Sequence, residues 1–193
     1  MWNNIAERYH IWAEMNRWYY HLFAVAISHY SNPKLVIDIC GGPGILGEEI
    51  KRLFPKVEIV CVDSSKKMCK ISSGILGDAM DLPFKNDVFD LAILCFALHE
   101  LNIDRAIDEA KRVLKRDGII AIADLNSEVP IWFKLISENL LSFIIGLEYA
   151  ESLSKKWKNF PCAEKITQIL EERGFRIEFK RTLLDFWIIA KKI

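Results

Sequence analysis

The residues with the clearest chemical potential are Gly41-Gly42-Pro43-Gly44, Asp63, Asp78 and His99. The glycine turn sits between an apolar run, Leu35 to Ile39, and an amphipathic stretch, Ile45 to Phe54, that Pro55 stops. Strand, glycine turn and helix N-terminus make a corner for an anion or a nucleotide. Glycine lets backbone come close to a ligand, and free helix N–H groups add partial positive charge. About 20 residues on, where a dinucleotide-binding unit keeps its ribose-binding acid, a second apolar strand, Val57 to Val62, ends in Asp63. That carboxylate is placed to accept both hydroxyls of a ribose; the plainer reading is an acidic helix cap. Asp78 follows a stub of strand, Gly74 to Gly77, and a carboxylate there could accept from an exocyclic amine such as adenine N6, or simply cap a turn. His99 comes just after the apolar run Phe89 to Phe96 and is placed to act as a general base or to line a substrate site. His10, His21 and His29 fall in the N-terminal region, away from those strand ends.

The elements that must hold these residues alternate. Residues 4 to 30 carry Tyr9, Trp12, Tyr19, Phe23, Ile27 and Tyr30 at helical spacing, so one or two helices precede Pro33. Strand Leu35–Ile39, helix Ile45–Phe54, strand Val57–Val62, a short helix Ser64–Ile71 and the stub 74–77 follow. Phe89–Phe96 reads as a central strand. Asp104 is expected to N-cap a helix running to Lys115, closed by Asp117-Gly118, and Gly118–Asp124 is the fifth strand. Residues 127–160 interrupt the alternation with a largely helical apolar insertion. A helix Ala163–Arg173 then leads to strands Phe175–Arg181 and Leu184–Ala190. Only Thr182 and Leu183 separate those two strands, which must therefore be antiparallel, because a parallel crossover needs a dozen or more residues. The expected fold is a single α/β domain, residues 1–193. It has a Rossmann-like, seven-stranded, mostly parallel sheet, helices on both faces and an antiparallel C-terminal hairpin. Residues 1–32 form an N-terminal helical cap, and 127–160 the helical insertion after strand five.

Composition narrows the partners. Half of the residues are hydrophobic (51%), which argues against disorder, and 26 Lys and Arg balance 26 Asp and Glu, so no global positive field draws in nucleic acid. The local cluster Lys155-Lys156-Trp157-Lys158 reads as a solvated face. Cys40, Cys61, Cys69, Cys95 and Cys162 form no C-x-x-C pair and read as small core residues of a reducing, cytoplasmic protein, with no metal site and no disulfide frame. The N-terminus lacks the charged-then-apolar order of a signal peptide.

The glycine corner alone is ambiguous, because Gly42-Pro43-Gly44-Ile45-Leu46-Gly47 also satisfies the dinucleotide pattern G-x-G-x-x-G. Four segments in order decide the resemblance: Val36 to Gly44, Val60 to Ser65, Gly77 to Phe84, and Phe89 to Leu101 with Arg112 to Gly118. Together with the terminal hairpin they resemble the class I S-adenosylmethionine-dependent methyltransferases, and are similar to the quinone-biosynthesis branch of the small-molecule enzymes. The resemblance covers roughly residues 1–126 and 160–193. It implies that S-adenosyl-L-methionine is the cofactor and S-adenosyl-L-homocysteine the product. It implies that Asp63 holds the ribose, with Ser64 and Met68 beside it, and that Asp78 and Ala79 hold the adenine. Gly42 and Gly44 would face the methionine and ribose portion, with Gly41 in the same turn. Asp38 would order the ammonium end through water, the backbone near Cys95 and Phe96 would complete it, and Tyr9 would cover it. Cys40 replaces the first glycine of the family's motif, so the turn must accept a side chain there. His99 is the candidate catalytic residue.

Methyl transfer from a sulfonium needs alignment, and no metal or covalent intermediate; a base is needed only if the acceptor carries its proton. Two other classes stay open on sequence: a nicotinamide-dependent oxidoreductase, and a non-catalytic S-adenosylmethionine-binding or scaffold subunit. The insertion, with Ile131, Trp132, Phe133, Leu140, Leu141 and Phe143, is more apolar than a connecting loop should be. It is expected to form the pocket of a small, partly apolar acceptor with the N-terminal helices, with Trp132 and Phe143 among its lining. Ordinary core packing and a homodimer interface are the alternatives for this stretch, and a transmembrane span is a poor one because Lys134, Glu138 and Asn139 interrupt the run; the pocket reading would also let the protein sit on a membrane surface to reach its acceptor.

Overall fold

Alternation within nearly continuous apolar runs sorts the strand side chains onto two covered faces. In β1 (Leu35–Ile39), β4 (Phe89–Cys95) and β5 (Leu114–Leu125), Ile37, Ile39, Ala92, Leu94, Ile120 and Ile122 enter one core, and Val36, Leu91, Ile93, Ile119, Ala121 and Ala123 enter the other. Such runs suit a parallel sheet buried on both sides. The computed structural model describes residues 1–193 throughout.

The sheet has seven strands in the order β3-β2-β1-β4-β5-β7-β6, with β2 at Glu58–Asp63, β3 at Ile75–Leu76, β6 at Phe175–Thr182 and β7 at Asp185–Lys192. β3, β2, β1, β4 and β5 are mutually parallel; β7 runs antiparallel to both β5 and β6. The close spacing of the last two strands therefore predicts the reversed strand correctly. The chain order reverses at β1 and β4, so the carboxyl ends of these strands open a crevice.

One face carries α2 (Arg17–Ser28) and α3 (Ile45–Leu53), with Phe23, Ile27, Ile45 and Ile50 fully or almost fully buried against the sheet. The other carries α5 (Ile103–Val113) and α8 (Ala163–Glu172), with α1 (Trp2–Met15), α4 (Lys66–Ser72) and α7 (Leu147–Asn159) packed around the crevice side of the same core. α6 (Ile131–Ile144) lies against α7 and has no buried residue. Arg17, at the junction of α1 and α2, bonds Glu14 of α1 and Glu48 and the buried Glu49 of α3, and so ties the N-terminal helices to α3. His21 also reaches Glu49, which explains why it takes no part in the crevice.

Local expectations are corrected at α5 and at β5, which starts at Leu114 rather than Gly118 and so contains Asp117-Gly118. Asn102, not Asp104, caps α5: its side chain accepts from the Arg105 N–H at 3.1 Å. The helix ends at Val113 rather than Lys115, because Leu114 turns extended and pairs with Phe89 of β4.

Candidate active site

The carboxyl ends of β1, β2, β3 and β4 meet around a cleft of about 580 Å³. Tyr9, Cys40, Gly42, Asp63, Ser64, Met68, Asp78, Ala79 and Phe96 all line it. Asp63 is fixed at the end of β2. Its Oδ2 accepts from the Gly42 N–H at 3.0 Å, bracing the glycine turn, and its Oδ1 accepts from the Ser65 N–H at 2.8 Å. Burial raises its pKa above the ordinary value, and the backbone N–H donors oppose that rise. Asp78 Oδ1 accepts from the Met80 N–H at 2.9 Å, so the plain turn-capping contact is present, and the residue still borders the cleft.

Asp38, Gly41 and Cys95 gather around a smaller cavity of about 20 Å³, shared with Tyr9, Cys40 and Gly42 and closed by Tyr20. Asp38 is 1% exposed and its Oδ2 has no hydrogen-bond partner. Gly41 is required by it: a Cβ there would lie 2.5 Å from the Asp38 carboxyl carbon. Gly44 is the exception among the expected residues. It lines neither cavity, standing instead at the N-cap of α3 with φ 83°, where its geometry turns the chain into the helix. Cys40 takes φ 55° and Phe96 φ 51°, so two non-glycine residues adopt the left-handed conformation across the crevice. Such strain collects at sites that need an unusual backbone path.

A second cavity of about 270 Å³ adjoins the first through Tyr9 and Phe96, which line both. Its walls are Trp12 and Asn16 of the N-terminal helix segment, Phe133, Leu140 and Leu141 of α6, and Tyr149, Leu153 and Trp157 of α7. Trp132 and Phe143, expected in this lining, are 59% and 90% exposed. They lie on a different face of the helix from the inward stripe of Phe133, Ser137 and Leu141, which four-residue steps line up. His99 enters this cavity from the single 3₁₀ turn Leu98–Glu100. Its Nδ1 lies 2.6 Å from Asp124 Oδ1 at the end of β5, and its backbone N–H donates to Asp124 Oδ2 at 3.2 Å. Its Nε2 is buried without a hydrogen-bond partner, 3.5 Å from Glu100 Oε1, which is likewise unsatisfied. Burial disfavours the imidazolium, but the Asp124 charge and hydrogen bond outweigh it, so the pKa stands above 6.5.

A family of methyltransferase domains matches residues 37–122. A demethylmenaquinone methyltransferase of Thermotoga maritima is 31% identical over 170 residues, covering 77% of this chain and 73% of the relative. The chain belongs to the class I S-adenosylmethionine-dependent methyltransferases. A demethylmenaquinone methyltransferase of Chlamydia muridarum is 27% identical over 180 residues, 81% of this chain and 79% of that one. A solved S-adenosylmethionine-dependent methyltransferase from Thermotoga maritima has the same fold, with a TM-score of 0.73, 20% identity and full coverage of both chains.

The methyltransferase is thus an enzyme whose cofactor is S-adenosylmethionine, and its cleft suits that group. An orphaned buried carboxylate, Asp38, faces a small cavity fit for a cationic end, and a second, Asp63, lines the larger cleft. Asp38 also offers a measurable signature. Burial and the Asp63 charge push its pKa up to about 7. Tyr9, Tyr20, Cys40 and Cys95 around it are all pushed upward by burial and stay neutral there, leaving Asp38 and Asp63 as the groups that can ionise. A raised carboxyl pKa contributes stability at low pH that is lost as pH rises through about 7. A bound ammonium favours the ionised form, so binding should release a proton below that pH. The affinity for S-adenosylmethionine is expected to weaken as pH falls from 7.5 to 6, by up to about tenfold per pH unit. Calorimetry in two buffers of different ionisation enthalpy should detect the proton, and Asp38→Asn should remove it. A pH-independent affinity across this range would sink the assignment.

The sequence reading missed Asp124 and Glu100 as partners of His99, and Trp2, Leu76, Met80, Ala97 and Leu101 in the cleft lining. Glu100 and Met80 were adjacent to residues already singled out. Asp124 sits at a strand end like Asp63, a signal that was available. Nothing in the sequence marked Trp2.

Proposed function

We propose that this enzyme methylates a small, largely apolar acceptor bearing an ionisable hydroxyl, of the class of substituted aromatic diols, with His99 as general base. The observation that carries this reading is the second cavity. It is walled by apolar side chains of the N-terminal helix and the insertion, it shares Tyr9 and Phe96 with the cofactor cleft, and its lining includes His99, whose Nε2 is buried without a hydrogen-bond partner. The names of the curated relatives, which act on demethylmenaquinone, support the same acceptor class.

S-adenosylmethionine supplies an electrophilic methyl group on a sulfonium. In this reading Asp63 accepts from the ribose hydroxyls, Asp78 with Ala79 holds the adenine, and Ser64 and Met68 line that end. Asp38 and the backbone of Cys40, Gly41 and Gly42 hold the amino-acid end, with Cys95 and Phe96 completing it. Tyr9 stands between the two cavities, and covers the cofactor while it bounds the acceptor. Asp124 keeps the proton of His99 on Nδ1, leaving Nε2 to take one from the acceptor hydroxyl. The alignment of two held reactants can lower the barrier by about 7–11 kcal/mol, so the base adds to a reaction that positioning already favours.

Phe133→Ala and Leu141→Ala test the pocket. Each removes apolar area from the acceptor cavity, and about 1.5 kcal/mol of lost burial corresponds to roughly a tenfold higher KM for the acceptor. The Kd for S-adenosylmethionine should stay unchanged. If acceptor and cofactor weaken together, or only the melting temperature falls, the second cavity is packing and the acceptor reading fails.

A further inference from the structure

The exposed positions of α6 are 131, 132, 135, 136, 139, 140 and 143, one unbroken stripe, and all but Asn139 carry large apolar side chains. Two other elements end the same way at the mouth of the second cavity. Met15, 68% exposed, adjoins Asn16, which lines it, and Trp18, 62% exposed, follows two residues after Asn16. Leu183 and Leu184 form the exposed turn between β6 and β7, and Leu184 lines it too. Three walls of one opening therefore present apolar side chains to water.

We propose that this rim is a bilayer-docking surface, which seats the mouth of the acceptor pocket against the membrane interface so that an apolar acceptor passes from lipid to His99 without crossing water. The proposal rests on the acceptor reading above. A bilayer fits the rim better than a second copy of the chain, because a partner protein seated there would cover the opening. The surface lies on the membrane rather than spanning it: α6 has 14 residues, and no helix is long and apolar enough to cross. Charge sets the lipid preference. The only charged residues of α6 are Lys134 and Glu138, of opposite sign and turned from the stripe, and the chain's net charge is zero. Binding should therefore proceed by apolar insertion, with little need for anionic headgroups and little sensitivity to salt.

Flotation of the full chain with phosphatidylcholine vesicles, with and without phosphatidylglycerol, at low and high salt, tests it. The wild-type chain should float with both vesicle types at both salt levels. Ile136→Asp with Phe143→Asp, two exposed positions outside the pocket lining, should reduce the bound fraction about tenfold or more. That variant should keep its melting temperature, its S-adenosylmethionine affinity and its turnover of a short-chain, water-soluble aromatic diol. The proposal is overturned if the wild-type chain fails to float, if the variant floats equally well, or if binding needs anionic lipid and collapses in salt. It is overturned as well if sedimentation shows a stable dimer that the variant converts to monomer, which would give the face to a second copy. Loss of turnover on every diol with vesicle binding intact would instead sink the acceptor reading and leave the docking surface standing.

Discussion

Asp63→Ala is expected to weaken S-adenosylmethionine binding by about tenfold to a hundredfold, since hydrogen bonds to a charged acceptor contribute about 1.5–3 kcal/mol. The carboxylate has two tasks. It lines the cleft where the ribose would sit, and it accepts from the Gly42 and Ser65 N–H groups, tying the glycine turn of β1 to the end of β2. Asp63→Asn separates the tasks, because the amide keeps the size and one acceptor but sets an N–H against a backbone N–H. Both variants should lose affinity for S-adenosylmethionine and S-adenosylhomocysteine alike, with Asn losing less. Calorimetry is the direct measure, and circular dichroism checks that the sheet persists. An Asp63→Ala chain that binds the cofactor as tightly as wild type would show that the ribose is held elsewhere in the cleft.

The parts of this molecule that were legible in its sequence share one physical property: local pattern and tertiary role coincide. Leu35–Ile39 and Phe89–Cys95 are apolar throughout because both faces of a parallel sheet are covered, and the strand bounds read from the runs match within a residue. The two-residue spacing between the last strands left no room for a crossover, so the reversed β7 followed from chain length alone. Asp63, Asp78 and His99 stand at strand ends, where a run of apolar residues gives way to a polar one, and all three reach a cavity. What was not legible depends on partners distant in sequence. The apolar residues of α6 gave no clue to which side faced inward, since they extend over more of the helix than one stripe and are interrupted only by Lys134, Ser137, Glu138, Asn139 and Ser142; Trp132 and Phe143 turned out, Phe133 and Leu141 in. The cap of α5 moved from Asp104 to Asn102 because both are good cap residues two positions apart. Gly44 matched a motif of ligand-facing glycines, but its backbone angle serves the start of α3. The pairing of His99 with Asp124 joins positions 25 residues apart, and only the adjacency of β4 and β5 brings them together.

That pairing sets the second large expectation: His99→Gln should lower kcat/KM for a hydroxyl-bearing acceptor by about 10²–10⁴-fold, the usual contribution of a positioned general base. Cofactor affinity should not change, because His99 lines the acceptor cavity and not the cofactor cleft. Asp124→Asn should act through the histidine. Asp124 accepts from the His99 and Leu125 backbone N–H groups as well as facing Nδ1, so an amide there must set an N–H against one of these donors or hold the imidazole in the wrong tautomer. The sign of the pH effect follows from the charge. Asp124 raises the His99 pKa above 6.5, and the base must be unprotonated, so kcat/KM of the wild-type enzyme should climb with pH through that raised value. Removing the carboxylate should move the climbing limb to lower pH while lowering the plateau. A residue that only packs would show neither change. The decisive comparison uses a series of acceptors of falling hydroxyl pKa: the His99→Gln defect should shrink as the acceptor ionises by itself, and disappear for one already ionised at the assay pH. A defect of constant size across that series would mean that His99 shapes the pocket and takes no proton.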